Sequence, residues 1–168
     1  MTSFQVVSAV KRKVHEKKAG HSGTLDPNAE GFMIIALGNR TKLLPYCVSN
    51  HKHYEATFSL GAHYDTQDVW GAIVEQKTFQ QHAQQELDAI SQKFIGTLQQ
   101  VPPMYSALKK DGKKLYEYAR KGIVVEREPR MIEVSSLVVK KGGENAYSMD
   151  AVVSSGTYIR TLIEDYCS

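Results

Sequence analysis

Apolar residues recur at helical spacing at Phe4, Val7, Val10 and Val14, behind the capping candidates Thr2 and Ser3. This predicts a first helix, with Gly20 as its stop. A glycine-rich loop from His21 to Gly31 follows, and the run Phe32 to Leu37 reads as a buried strand. Residues 41–49 suggest a short helix disturbed by Pro45. Tyr54 to Leu60 alternates as a strand does, and a turn at Asp65 to Asp68 leads to another strand near Trp70 to Glu75. His82 to Phe94 is expected to be a helix with Leu87, Ile90 and Phe94 inward; Val101-Pro-Pro103 breaks the chain. Asp111-Gly112 signals a tight turn between basic stretches. A helix over Lys113 to Lys121 is then stopped by Gly122. Ile132 to Val139 and Ala146 to Val153 form a hairpin, and Thr157 to Tyr166 is helical in pattern. Helices and hairpins mix without a βαβ rhythm, so the predicted class is α+β with a largely antiparallel sheet flanked by helices.

The length, 168 residues, suits one domain over residues 1–168, and 42% apolar residues can furnish a core. No run reaches the roughly 20 residues of a membrane span. Cys47 and Cys167 are too few for a disulfide framework, so a reduced, cytoplasmic protein is expected.

The net charge of +3 is unevenly spread. Residues 1–20 carry five basic and one acidic side chain, and residues 101–130 carry eight and four. The intervening residues 51–100 carry three basic and six acidic ones. The second basic region interleaves Lys109, Lys110, Lys113 and Lys114 with Tyr105, Tyr116 and Tyr118, a mixture that fits RNA better than a membrane. A solvated face is the bland alternative.

The loop Gly20-His-Ser-Gly-Thr-Leu-Asp-Pro27 lacks the spacing of a nucleotide-triphosphate loop. Pro27 holds Asp26 away from the α region, which directs its side chain or makes it a plain turn former. No serine–histidine–acid pattern or metal-spaced cluster is present. His51 and His53 share one face of a strand but lack further ligands nearby, so no metal is expected.

Three blocks in order are more specific than any of these signs. They are Gly20-His-Ser-Gly-Thr-Leu-Asp-Pro27 with Ala29-Glu-Gly31; Val101-Pro-Pro-Met-Tyr-Ser-Ala-Leu-Lys109 with Gly112-Lys-Lys-Leu-Tyr-Glu-Tyr-Ala-Arg120; and Ser155-Gly-Thr-Tyr-Ile-Arg-Thr-Leu-Ile-Glu-Asp165. They resemble the bacterial tRNA pseudouridine synthase B (TruB-type) family along nearly the whole chain. The resemblance implies a pseudouridine-synthase-type sheet and isomerisation of the T-loop uridine (position 55) of tRNA, with the base flipped out of its loop.

By that resemblance Asp26 matches the essential aspartate, Tyr54 the tyrosine stacked on the flipped base, and Arg160 the arginine paired with the aspartate. Tyr158 lies in the same motif. His21 matches the histidine against the T loop, and Asp68 an acidic position that can bond the arginine. The basic segment, about 101–130, corresponds to an insertion that clamps RNA, with Lys109, Lys110, Lys113 and Lys114 as phosphate contacts. The resemblance implies no cofactor and no metal, tRNA through its T arm as partner, and a monomer.

The family's opening strand, with its Asp-Lys-Pro-x-Gly segment, and its small C-terminal RNA-binding domain find no match here. A catalytic domain incomplete at both ends is therefore expected, with Ile159, Leu162 and Ile163 short of packing partners. An RNA-binding remnant without turnover is the alternative, and a hydrolase using Asp26 is more remote.

Overall fold

A computed structural model describes residues 1–168, which form two compact units, Met1–Asn50 and His51–Ser168.

In the first unit, α1 (Ser3–Lys13) opens with a reciprocal cap. The Thr2 hydroxyl accepts from the Gln5 backbone N–H, and the Gln5 side chain accepts from the Thr2 N–H. The helix ends at Val14, before His15 turns to a φ of 54°. Gly20 is therefore not its stop. It lies in β1 (Ala19–His21), paired antiparallel with β2 (Ile35–Leu37). A Cβ at Gly20 would sit 3.1 Å from the Leu44 Cδ1, so this glycine serves a close approach.

The expected strand over 32–37 shrinks to its last three residues and is only half-buried, with Phe32 93% exposed. A 3₁₀ turn (Gly38–Leu43) runs into α2 (Leu44–Cys47), where Pro45 sits in the first turn and its missing N–H forfeits no helical bond.

The second unit is built on a four-stranded antiparallel sheet in the order β3 (His51–Phe58), β10 (Tyr147–Ser154), β9 (Arg130–Lys141), β6 (Gly96–Gln100). A small pair, β4 (Ala62–Tyr64) and β5 (Ile73–Gln76), follows β3. The helix α3 (Gln84–Lys93) buries Leu87 against the sheet, with Ile90 and Phe94 packed beside it, as the periodicity predicts.

The basic hairpin is β7 (Lys109–Lys110) with β8 (Lys113–Lys114). Asp111 (φ 52°) and Gly112 (φ 78°) are both left-handed, the mirror-image turn that an Asp-Gly pair favours. It leads into α4 (Leu115–Ala119), and the chain closes with α5 (Ile159–Cys167).

On β9, Ile132 and Val134 are buried, and so are Leu137 and Val139. Strict alternation cannot put both pairs on one face. The register shift opposite Val152 and Val153 supplies the extra residue that changes the phase. The core then takes Val134, Val139, Met149, Val153 and Leu162, all at most 1% exposed. Phe58 stacks on Tyr147 with ring centroids 5.4 Å apart. Leu162 is thus fully packed, contrary to expectation, while Ile159 and Ile163 pack partly buried against the same cluster. No helix is long and apolar enough to cross a membrane.

Candidate active site

The first unit supplies a loop whose two ends are tied together. Ser22 donates its N–H to the Ile34 carbonyl at 3.0 Å, and the Ile34 N–H donates to the Ser22 hydroxyl at 3.1 Å. Further out, the Leu25 N–H donates to the buried Ser3 hydroxyl at 3.0 Å, pinning the loop to the start of α1. Asp26 follows directly. Its carbonyl accepts the Ala29 N–H at 2.9 Å, so Asp26 opens a four-residue turn with Pro27 second, and the residue is exposed.

Asp26 is thus a turn former and an exposed residue. His21, at the end of β1, donates its Nδ1–H to the Gly23 carbonyl at 2.7 Å. That bond sets the tautomer and leaves Nε2 for another partner.

In the second unit, Tyr54 sits half-buried on β3 against the core. Arg160, one residue into α5, is held on several sides. It donates through Nη1 to the Thr66 carbonyl at 2.6 Å and through Nη2 to the Tyr105 carbonyl at 3.1 Å. Asp68 faces it at 3.7 Å, the pairing expected from the sequence. The other oxygen of Asp68 accepts the Thr66 hydroxyl at 2.9 Å and the Trp70 N–H at 3.0 Å, so the carboxylate is oriented before it meets the arginine.

Gly71 closes this turn. A Cβ there would lie 2.2 Å from the Thr66 Oγ1 and 2.3 Å from an Asp65 carboxylate oxygen, distances no side chain tolerates. Tyr158 caps α5. Gln100, 2% exposed, donates to the Tyr158 carbonyl at 3.0 Å and accepts its N–H at 2.8 Å.

The sequence singled out neither Gln100 nor Thr66 nor Gln67. Thr66 binds the arginine only through its carbonyl, and a main-chain acceptor leaves no side-chain signature. Gln100 belongs to β6, a strand with one apolar side chain in five residues, which the hydrophobic pattern did not reveal.

The four lysines divide by position. Lys109 and Lys113 are exposed, whereas Lys110 donates to the Glu126 carbonyl at 2.6 Å. Lys114 lies 5.4 Å from the Tyr116 ring centroid, and Arg120 lies 5.2 Å from the same ring.

The expectation that the strand histidines have no ligands nearby needs correcting for His53. The ligand atoms of His53, Glu55 and Asp150 all lie within 4.8 Å of one another on the exposed face, where His53 Nε2 donates to Asp150 at 2.9 Å. Cys167 is exposed as a residue, yet desolvation around its sulfur and the Glu164 charge push its thiol up to about 11. Both effects disfavour the thiolate at neutral pH.

The family model described as TruB family pseudouridylate synthase (N terminal domain) matches residues 11–159. A tRNA pseudouridine synthase B of Psychrobacter arcticus is 49% identical over 170 residues, covering 98% of this chain and 45% of that protein. Its counterpart in Clostridium perfringens is 43% identical, covering 98% and 56%. The chain spans about half the length of the curated relatives it matches.

Among solved structures, a Cbf5-Nop10-Gar1 complex superposes with a TM-score of 0.69 at 25% identity, over 99% of this chain and 40% of that one. An H/ACA RNP bound to a substrate RNA containing 2'-deoxyuridine gives 0.67 at 22% identity over 99% and 38%, a likeness of fold. With a family model over most of the chain and relatives at 43% and 49% identity, the chain belongs to the TruB family of pseudouridylate synthases.

Proposed function

We propose that this chain carries the catalytic residues of a tRNA pseudouridine synthase acting on the T-loop uridine in the cytoplasm. The observation that carries the reading is the oriented Arg160–Asp68 pair on a scaffold of this family, joined in sequence to an exposed turn at Asp26.

The reaction detaches a uracil from its ribose, turns it and rejoins it through carbon, with no redox change. In the proposed reaction one carboxylate suffices at the sugar, as nucleophile or as base, and Asp26 is that group. Arg160 partners the carboxylate in its ionised form. The base must leave the loop stack to be reached, and Tyr54 offers the face on which it stacks. His21 and Tyr158 contact the RNA loop, and the basic segment clamps it. The substrate RNA bound by the H/ACA RNP of like fold is in keeping with an RNA partner.

A tritium-release assay on a T-arm hairpin labelled at uracil C5 tests the reading. Release that depends on the protein supports it. Binding without release would instead describe an RNA-binding remnant, and the absence of both binding and release would overturn the reading.

The lysine hairpin gives a second measurement. Neutralising Lys109, Lys110, Lys113 and Lys114 together should lower the slope of log K against log salt by up to about 0.7–0.9 for each phosphate left without its lysine. Lys109 and Lys113 should account for most of the change, since Lys110 and Lys114 already have partners within the chain. An unchanged slope would make the hairpin a solvated face.

A further inference from the structure

The turn that receives Arg160 is bound to α5 a second time, by a side chain the reaction itself does not call for. Gln67 stands next to Thr66, with a φ of 60°, a left-handed conformation that disfavours a non-glycine residue. Both ends of its amide are used, and both partners lie on the arginine's helix. Its Oε1 accepts the Thr161 hydroxyl at 2.8 Å, and its Nε2 donates to the Glu164 carboxylate. The other oxygen of Glu164 meets His63 Nδ1, on β4, at 2.6 Å.

Arg160 and Glu164 are four residues apart on α5, so they share a face. Three consecutive groups of the turn thus engage that helix: the Thr66 carbonyl and Asp68 take the guanidinium, and the Gln67 amide takes its neighbours.

We infer that Gln67 is a positioning residue, which holds the Thr66–Asp68 turn against α5 so that the Arg160 guanidinium keeps one orientation. The inference rests on the proposed function for its catalytic consequence, though not for its structural one. A neutral amide is the chemistry required: one end must accept from a hydroxyl while the other donates to a carboxylate. Gln67→Glu turns the donor into an acceptor and sets two carboxylates face to face. Adding Glu164→Gln reverses the second bond. The carboxylate introduced at position 67 then accepts from both the Thr161 hydroxyl and the amide introduced at position 164. The carbonyl of that amide still accepts from His63.

The experiment compares the parent, Gln67→Glu, the double variant, and Gln67→Met, which keeps the length without the amide. The first readout is the arginine side-chain ¹⁵N spectrum, with the Arg160 signal assigned by its loss in Arg160→Lys. The parent should show slow rotation about the Cζ–Nη bonds, and so resolved Nη signals. Gln67→Glu and Gln67→Met should average them, and the double variant should restore them. Should Gln67→Glu fail to fold, Gln67→Met and the double variant carry the test.

The second readout is pseudouridine formation on the T-arm hairpin. Here kcat should fall about 10-fold or more in both single variants, with KM changed by less than about 3-fold, and return in the double variant. Arg160 signals as well resolved in folded Gln67→Met as in the parent would overturn the inference. So would a folded double variant in which they stay averaged. A parent with ordered Arg160 signals and no turnover would overturn the proposed function alone, leaving the positioning role standing.

Discussion

Asp26→Asn is expected to abolish pseudouridine formation while leaving T-arm affinity within a few fold. The substitution keeps the side-chain shape and the turn that begins at Asp26, where the carbonyl, not the carboxylate, accepts the Ala29 N–H. Only the charge and the nucleophilic or basic oxygen are lost. Removing a group that acts on the reacting atoms usually costs about 10²–10⁴ in rate for base catalysis alone, with binding little affected. Single-turnover tritium release and a gel shift on the same protein separate the two effects. Turnover by the Asn variant at about a tenth of the parent rate would remove Asp26 from the catalytic role.

Leu162→Ala should produce the largest loss of stability among single truncations on α5. Leu162 is 1% exposed and lies in the cluster that joins this helix to the sheet. Leucine-to-alanine changes at such sites cost about 2–5 kcal/mol, against a typical domain stability of about 5–15 kcal/mol. Urea unfolding monitored by circular dichroism would read the change at constant m-value. The same helix carries Arg160, so turnover should fall before global unfolding sets in. A loss below about 1 kcal/mol would mean that α5 draws its hold on the sheet from Tyr166 and its polar bonds instead. Tyr166 is well placed for that: its hydroxyl donates to the Leu87 carbonyl at 2.8 Å, and burial pushes its ionisation upward, so it remains a donor.

Legibility in the sequence followed the kind of interaction. Where one residue type dictates a local geometry, the reading transferred well. Asp111-Gly112 gave its turn, Gly122 its helix stop and Thr2 its cap. The hairpin of β9 and β10 was plain because its apolar positions alternate or run together. The run Phe32 to Leu37 misled because apolar residues in a loop were read as a buried strand; only Ile35–Leu37 pairs, and Phe32 points to solvent.

The strand β6 was missed for the converse reason. An edge strand that buries one side needs few apolar residues, and Gly96-Thr-Leu-Gln-Gln100 supplies only Leu98. In the candidate site, Asp68 and Arg160 were readable through the resemblance of their motifs to the family. The bonds that orient them were not. They run to main-chain carbonyls of Thr66 and Tyr105, or through Gln67 and Gln100, amides that look like ordinary polar surface in a sequence.

The pairing of β3 with β10 sets an order of events in biosynthesis. The two strands are separated by roughly ninety residues, so their union carries a large loop-closure entropy, whereas β9 and β10 meet across a short connection. The hairpin and the helix after it are therefore expected to organise first and to receive β3 afterwards. On a ribosome adding about 5–20 residues per second, β3 waits on the order of 5–20 s for its partner strand to be made. During that interval Tyr54 and Phe58 have no sheet to cover them. The charged and histidine side chains of β3, Lys52, His53 and Glu55, are expected to keep the waiting strand soluble.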